Sequence, residues 1–386
     1  MISGSYRYLE QDRVVFGKPA REALVEDAEQ RGCSRLLVVT SRSPHRTTPI
    51  VQGIVAALGR RVAGLFEDCA EHTPRDSVLA LARAARETNA DLLVTVGGGS
   101  AIDAAKVALI CLAHDITDRD GFDELRIRVA ADGSRMVPRV KRAPIRQIAV
   151  PTTLSGAEFS DLAGCTDTAR GEKHLYTAAA IEPATVILDP RCTLHTPERL
   201  WLSTGIRAVD HAVESICSPD AQPLIDATCL EALVRLCRAL PRTKEDPADL
   251  EARLDGQLGV WLACTGVNRI RFGASHGIGH VLGGELGIPH GVTSCILLPA
   301  VLRYNAAATQ AQQDRIADRL GWPSLPEGIA ALVRGLGLPS RLSAFPVDRD
   351  VLARLATKAL GNPFVRANPR TIDGAEQVTA ILEDAW

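Results

Sequence analysis

The chain has 386 residues, 46% of them apolar, a formal net charge of −2 and a pI near 6.5. That length accommodates a large core and two domains, and the balanced charge gives no electrostatic reason to expect nucleic acid or an anionic membrane as partner. No basic stretch runs into an apolar one at the start, and no segment reaches the ~18 consecutive apolar residues of a membrane span. The ten cysteines form no C-x-x-C pair, so a cytoplasmic globular protein with reduced thiols is expected.

In chain order, YRYLEQDRVVFG predicts a separate strand or hairpin near the N-terminus. RLLVVT (35–40), DLLVTV (91–96) and IRQIAVP (145–151) are short β-branched runs. Between them VLALARAARET (78–88) and AIDAAKVALICLA (101–113) carry helical periodicity. Strand alternating with helix predicts an α/β domain with a parallel sheet covered on both faces. Residues 114–145 are polar and charged and predict a partly disordered surface insertion. After about residue 190 the texture changes. PERLWLSTGIRAVDHAVESIC, ATCLEALVRLCRAL and EARLDGQLGVWLACTGV are helical in period. An α/β domain over 1–190 and an all-helical domain over 191–386 are therefore expected.

DLLVTV runs straight into Gly97-Gly98-Gly99-Ser100 and then a helix. Three glycines allow close backbone approach to a ligand, and a helix start presents free N–H groups to an anion. Ser100 and Asp103 fit an N-terminal capping box, with Asp in place of the usual Glu. The G-x-G-x-x-G dinucleotide fingerprint is absent. A second loop, AVPTTLSGAEFS, offers the hydroxyls of Thr152, Thr153 and Ser155 just past a strand end, where open parallel sheets bind ligands.

ASHGIGHVLGGELGIPH holds His276, His280 and His290. The first two share a helix face, and the Gly/Pro stretch before the third must turn the chain back. A fourth histidine, His211, lies in STGIRAVDHAVES. If His211, His276 and His290 held a divalent cation, a carboxylate one turn before His211 would complete the set. That position is Arg207. Asp210 falls roughly 100° away around the helix, by its period of ~3.6 residues, and Glu214 lies one turn beyond Asp210 on that same different face, so both are expected to be poor substitutes. A fixed guanidinium would repel a divalent ion.

The motifs Gly97-Gly98-Gly99-Ser100 with Asp103 and Lys106, PTTLSGAE, GIRAVDHAVES and HGIGHVLGGELGIPHG together resemble those of the iron-containing (group III) alcohol dehydrogenases over nearly the whole chain. The short PTTLSGAE form and the HVLGG…PH wording are most similar to the maleylacetate reductase branch. The resemblance implies an N-terminal nucleotide-binding domain and an all-α C-terminal domain, an architecture shared with dehydroquinate synthases. It also implies NAD or NADP in the cleft and hydride transfer between a carbonyl and an alcohol. Gly97, Gly98, Gly99, Ser100, Asp103, Lys106, Thr152, Thr153 and Ser155 would then serve the cofactor. Ser41 stands where many relatives place an Asp near the ribose. With Arg42 and Arg46 nearby, its presence predicts acceptance of both NADH and NADPH. Family members usually pair through their N-terminal strands, so a homodimer is expected.

In metal-dependent members the ligands are one Asp and three His, and those positions here are Arg207, His211, His276 and His290. His280 matches a further active-site histidine. The reductase branch lacks the carboxylate and works without metal, though it carries Asn there rather than Arg. A metal is therefore not expected. Arg207 would either anchor a carboxylate-bearing substrate or help hold the developing oxyanion, and one of His211, His276, His280 and His290 would relay the proton. The substrate expected is a small oxo acid. The alternatives are a metal-dependent alcohol dehydrogenase using His211, His276 and His290, a lyase of the dehydroquinate synthase type, and a non-catalytic nucleotide-binding relative.

Overall fold

The computed structural model describes residues 3–130 and 135–386. Its contacts divide the chain into two units, Arg7–Thr196 and Pro197–Trp386, the second including the N-terminal residues up to Tyr6. The Tyr6 hydroxyl donates to the Thr265 carbonyl at 3.0 Å, which fastens that short segment to the helical unit.

The first unit is built on ten strands, β1 (Arg13–Phe16), β2 (Leu36–Val39), β3 (Val62–Phe66), β4 (Leu92–Gly97), β5 (Arg128–Val129), β6 (Arg135–Met136), β7 (Arg146–Pro151), β8 (Leu162–Asp167), β9 (Glu172–Thr177) and β10 (Thr185–Leu188). Six of them form one all-parallel sheet in the order β1-β10-β7-β4-β2-β3. Five helices accompany them, α1 (Ala20–Arg31), α2 (Arg42–Thr47), α3 (Ile50–Leu58), α4 (Arg75–Glu87) and α5 (Gly99–Ala113).

The inner strands of the sheet are mostly apolar because both faces are covered. Successive side chains of a strand point to opposite faces. Accordingly Leu37 and Val39 join Val78, Leu81 and Val107 in one core, while Leu36 and Val38 join Leu24, Ile54, Val94 and Val150 in the other. Each such side chain contributes roughly 1.5–3 kcal/mol by leaving water.

Three sequence expectations are corrected. The N-terminal strand is neither separate nor a hairpin: Arg13–Phe16 runs parallel to β10 at the edge of the main sheet, and half-exposure of an edge strand explains its mixed composition. The 114–145 insertion is not simply surface. Ile116, Phe122, Leu125 and Ala143 are buried in the core beneath α4 and α5, while residues 131–134 lie outside the described residues. The Ser100/Asp103 capping box does not form, because α5 starts two residues early with Gly98 as its N-cap and no side-chain cap bond.

The second unit is helical: α6 (Glu198–Cys217), α7 (Pro223–Glu245), α8 (Leu250–Ala263), α9 (Ala274–Leu286), α10 (His290–Leu320), α11 (Leu325–Gly335), α12 (Leu352–Ala359), α13 (Pro363–Arg366) and α14 (Ala375–Asp384). Its core joins α9, α10, α12 and α14 through Ile278, Leu282, Ile296, Leu355 and Leu382. Gly287, at φ +66°, ends α9 in the left-handed region and lets α10 begin three residues later. At Gly291 a Cβ would stand 2.6 Å from the Ser203 carbonyl oxygen, so only glycine lets the start of α10 lie against α6. None of the ten cysteines is in a disulfide, and eight are buried. No helix among the described residues is long and apolar enough to cross a membrane.

Candidate active site

In the α/β unit, β4 delivers Gly97 and Gly98 to the start of α5, and the loop after β7 folds over them, with Thr152 N–H donating to the Gly97 carbonyl at 3.0 Å. A Cβ at Gly98 would meet Thr153 Cγ2 at 3.0 Å, and one at Gly99 would meet Ser155 Oγ at 2.9 Å. The two loops thus touch through bare backbone. The buried hydroxyls of Thr153 and Ser155 have no hydrogen-bond partner. Orphaned buried polar groups are costly and point to a ligand that supplies the partner. Beside the N-terminal amides of α5 they fit a diphosphate.

Lys106 and Asp103 stand behind this cradle. Lys106 is fully buried and donates to the carbonyls of Ala157 at 2.5 Å and Leu162 at 2.8 Å, and its ammonium lies 3.4 Å from Asp103. Asp103 also accepts from Gly164 N–H at 3.0 Å. The pair pins the second loop to α5. Ser41 is the N-cap of α2; Arg42 pairs with Asp68 and Arg46 with Glu67, both at the surface. Glu158 closes the loop with a buried carboxyl whose Oε2 has no partner. Burial pushes that carboxyl up to about 7 against the pull of Lys106.

In the helical unit, α6 contributes Arg207, Asp210, His211 and Glu214, α9 contributes Ser275, His276 and His280, and α10 begins with His290 and carries Ser294. The rings of His211 and His276 stack with centroids 5.0 Å apart, and Phe272 stacks on His276 at 4.1 Å. His280 meets His290 edge to face at 5.5 Å. Burial, then the Arg207 charge, holds both His211 and His276 well below the ordinary histidine range, so both are neutral at pH 7.

Asp210 and Glu214, set aside as substitutes for the missing metal carboxylate, have hydrogen-bond partners of their own. Asp210 is fully buried, and its Oδ2 accepts from Ser275 Oγ at 2.8 Å and Ser294 Oγ at 2.6 Å. Glu214 accepts from the backbone N–H groups of Gly273 and Ser275 and lies 2.7 Å from His276 Nδ1. One proton sits between those two atoms, and His276 Nε2 is left buried without a partner. Burial, with the Asp210 charge adding, raises the Glu214 carboxyl to about 8. Asp210 is raised by burial against Arg207 and the serines. The signal available in the sequence was spacing: Arg207 to Asp210 is i,i+3 and Asp210 to Glu214 is i,i+4, both neighbours on a helix surface.

Arg207 is 11% exposed in its side chain. Its Nη1 donates to Ser294 Oγ at 3.0 Å and lies 3.6 Å from Asp210 Oδ2, beyond direct hydrogen bonding. Both carboxylates near Arg207 already have partners. Asp210, Glu214 and His276 do bring ligand atoms within 4.8 Å of one another. The Glu214 oxygens, however, already accept backbone N–H groups, the bonded Asp210 oxygen accepts two hydroxyls, and a guanidinium stands beside them. His211, His276 and His290 do not form such a group among the described residues. A second cluster, Asp123, Asp167 and His174 in the α/β unit, is filled by Arg75, which reaches all three.

The family model described as iron-containing alcohol dehydrogenase matches residues 11–190, and that described as Fe-containing alcohol dehydrogenase family, C-terminal, matches 201–386. The chain belongs to the iron-containing alcohol dehydrogenase family. A dehydrogenase of Alternaria alternata, ALT3, is 35% identical, covering 92% of this chain and 99% of its own. A maleylacetate reductase of Burkholderia cepacia is 32% identical over 97% and 95% of the two chains. The crystal structure of maleylacetate reductase from Rhizobium sp. strain MTP-10005 covers 100% of this chain and 99% of its own, with a TM-score of 0.84 and 28% identity. Like its family, this iron-containing alcohol dehydrogenase relative is an NAD(P)-dependent oxidoreductase acting on carbonyl or alcohol groups, and it stands near the maleylacetate reductase branch.

Proposed function

We propose that this oxidoreductase reduces a small oxo acid, in the manner of a maleylacetate reductase, with Arg207 doing the electrostatic work for which other members of the family use a metal. One observation carries this reading. A guanidinium occupies the position of the absent carboxylate ligand, nearly buried on the helix that also carries His211, and among the described residues makes one hydrogen bond, to Ser294. Its remaining donors form a fork that matches a carboxylate or a developing alkoxide.

The nicotinamide nucleotide, when bound, supplies hydride to the carbonyl carbon. Gly97, Gly98, Gly99, Ser100, Thr152, Thr153 and Ser155 would hold its diphosphate, with Asp103 and Lys106 supporting the loop and Ser41 near the ribose. The chain's own part is to bind the oxo acid, stabilise negative charge on the reacting oxygen and deliver a proton to it. His276 is the best placed proton carrier of the four histidines: Glu214 fixes one ring nitrogen, and the other is buried and open to a partner. His211 stacks against it, and His280 and His290 sit as a second pair. The protein would act as a cytoplasmic homodimer on a small molecule.

A panel read by nicotinamide absorbance tests this: maleylacetate, 4-oxopentanoate and 2-oxoglutarate against 2-pentanone and butanal. The oxo acids should be preferred, and Arg207→Ala should cut kcat/KM for the best of them by about a hundredfold or more, the loss of a charge-assisted anchor, with KM for the nucleotide unchanged. Wild-type kinetics in that variant would defeat the reading. The metal-dependent reading is favoured by the Asp210, Glu214 and His276 group alone, and metal content with activity before and after chelation separates the two.

A further inference from the structure

The anchor just proposed raises a second question, on which this inference rests: how a single arginine is kept in place without losing its charge to a partner. An arginine buried against a carboxylate ordinarily forms a two-bond pair, which satisfies the fork and leaves nothing for a ligand. Here the carboxylate is present, three residues further along the same helix, yet it does not close on the guanidinium. Arg207 Nη1 and Asp210 Oδ2 are 3.6 Å apart, and the Ser294 hydroxyl stands in the link, accepting from Arg207 at 3.0 Å and donating to Asp210 at 2.6 Å. A second hydroxyl, Ser275, donates to the same carboxylate oxygen at 2.8 Å.

We propose that Asp210, acting through Ser294, is a positioning residue for Arg207: it fixes the guanidinium from behind while leaving the forward donors of the fork for the substrate carboxylate or oxyanion. The serine decides the geometry. A hydroxyl rotates to donate one way and accept the other, so it couples a fixed anion to a fixed cation at a distance where the two do not bond directly. Ser275 and Ser294 come from α9 and α10, so Asp210 ties Arg207 on α6 to both helices that carry the other histidines. The opposite charge also offsets part of the cost of holding an arginine out of water.

Asp210→Asn keeps the side-chain shape and a serine contact but removes the charge. Steady-state kinetics on the best oxo acid of the panel should show kcat/KM lowered by about tenfold or more, mainly through KM, with KM for the nucleotide within about twofold of wild type. In an Arg207→Ala background the same change should add less than about twofold, since a positioning residue has nothing left to position. Ser294→Ala, which cuts the relay and leaves Asp210 with Ser275, should shift KM in the same direction, and it carries the test if Asp210→Asn does not fold. Losses that multiply in the double variant, or an unchanged oxo-acid KM in Asp210→Asn and Ser294→Ala while Arg207→Ala is impaired, would overturn this inference alone. An unimpaired Arg207→Ala, or a panel with no oxo acid turned over, would overturn the function proposed above and this inference with it.

Discussion

A guanidinium held by one hydroxyl behaves differently from one closed on a carboxylate, because its other donors are left for a ligand. Lysine at position 207 would keep the charge but lose the planar fork. Arg207→Lys should therefore retain part of the oxo-acid preference, with kcat/KM intermediate between wild type and Arg207→Ala, as a point charge replaces two directed bonds. Glu158 gives a pH expectation in the other unit. Its carboxyl is raised by burial from the ordinary glutamate range to about 7, so the folded chain holds a proton there that the unfolded chain has lost. Its contribution is fully present at acid pH and is lost as pH climbs from about 4.5 to 7, at up to about 1.4 kcal/mol per pH unit. Urea unfolding across that window should show the decline, and Glu158→Gln should flatten it. An equal slope in the variant would show that another group carries it.

At the scale of elements, close helix contacts and one ion-pair network hold the sites. The start of α10 lies on the α6 backbone at Gly291, where a Cβ would meet the Ser203 carbonyl at 2.6 Å. Gly291→Ala must push the two helices apart and should cost about 1–3 kcal/mol in thermal or denaturant unfolding, as overpacking does. Oxo-acid turnover should fall with it, because Arg207 and Ser294 sit on the two helices displaced. In the α/β unit, Arg75 is buried among Asp123, Asp167, His174 and the Phe122 ring, and joins the 114–145 insertion to α4 and the β8–β9 hairpin. Arg75→Met should leave the Asp123 carboxyl, now held down to about 2 chiefly by its arginine bonds against burial, without its main partner. Limited proteolysis should then cut within the insertion faster than in wild type.

These elements also show how far the sequence could be read. Central strands such as Leu36–Val39 and Leu92–Gly97 were legible because burial on both faces writes an unbroken apolar run. The β8–β9 hairpin was not, since LAGCTD and EKHLYT mix polar and small residues and carry no strong alternation. The edge strand β1 and the buried half of the insertion were misread for the same reason: local polarity does not report a tertiary partner. In the site, the four histidines and Arg207 stood out by residue type and spacing. Asp210 and Glu214 were visible but judged only against His211; their partners, Ser275, Ser294 and His276, arrive from helices some sixty to eighty residues away.

For the whole molecule, the α/β unit carries a glycine cradle with two orphaned hydroxyls and the helical unit an arginine–histidine cluster. Cofactor choice belongs to this scale. Arg42 and Arg46 are paired with Asp68 and Glu67, so a 2′-phosphate would have to compete with two carboxylates for them. Acceptance of both nucleotides therefore predicts apparent KM values for NADH and NADPH within about tenfold of each other, a difference of only about 1.4 kcal/mol. On the reading proposed, Arg207 rather than an ion meets the charge on the reacting oxygen. The most direct measurement is metal content by mass spectrometry on active enzyme purified without chelator, alongside oxo-acid turnover before and after chelation. Iron and zinc far below one per chain and unchanged turnover are expected; a stoichiometric ion whose removal abolishes activity, restored on adding it back, would show that an ion does this work instead.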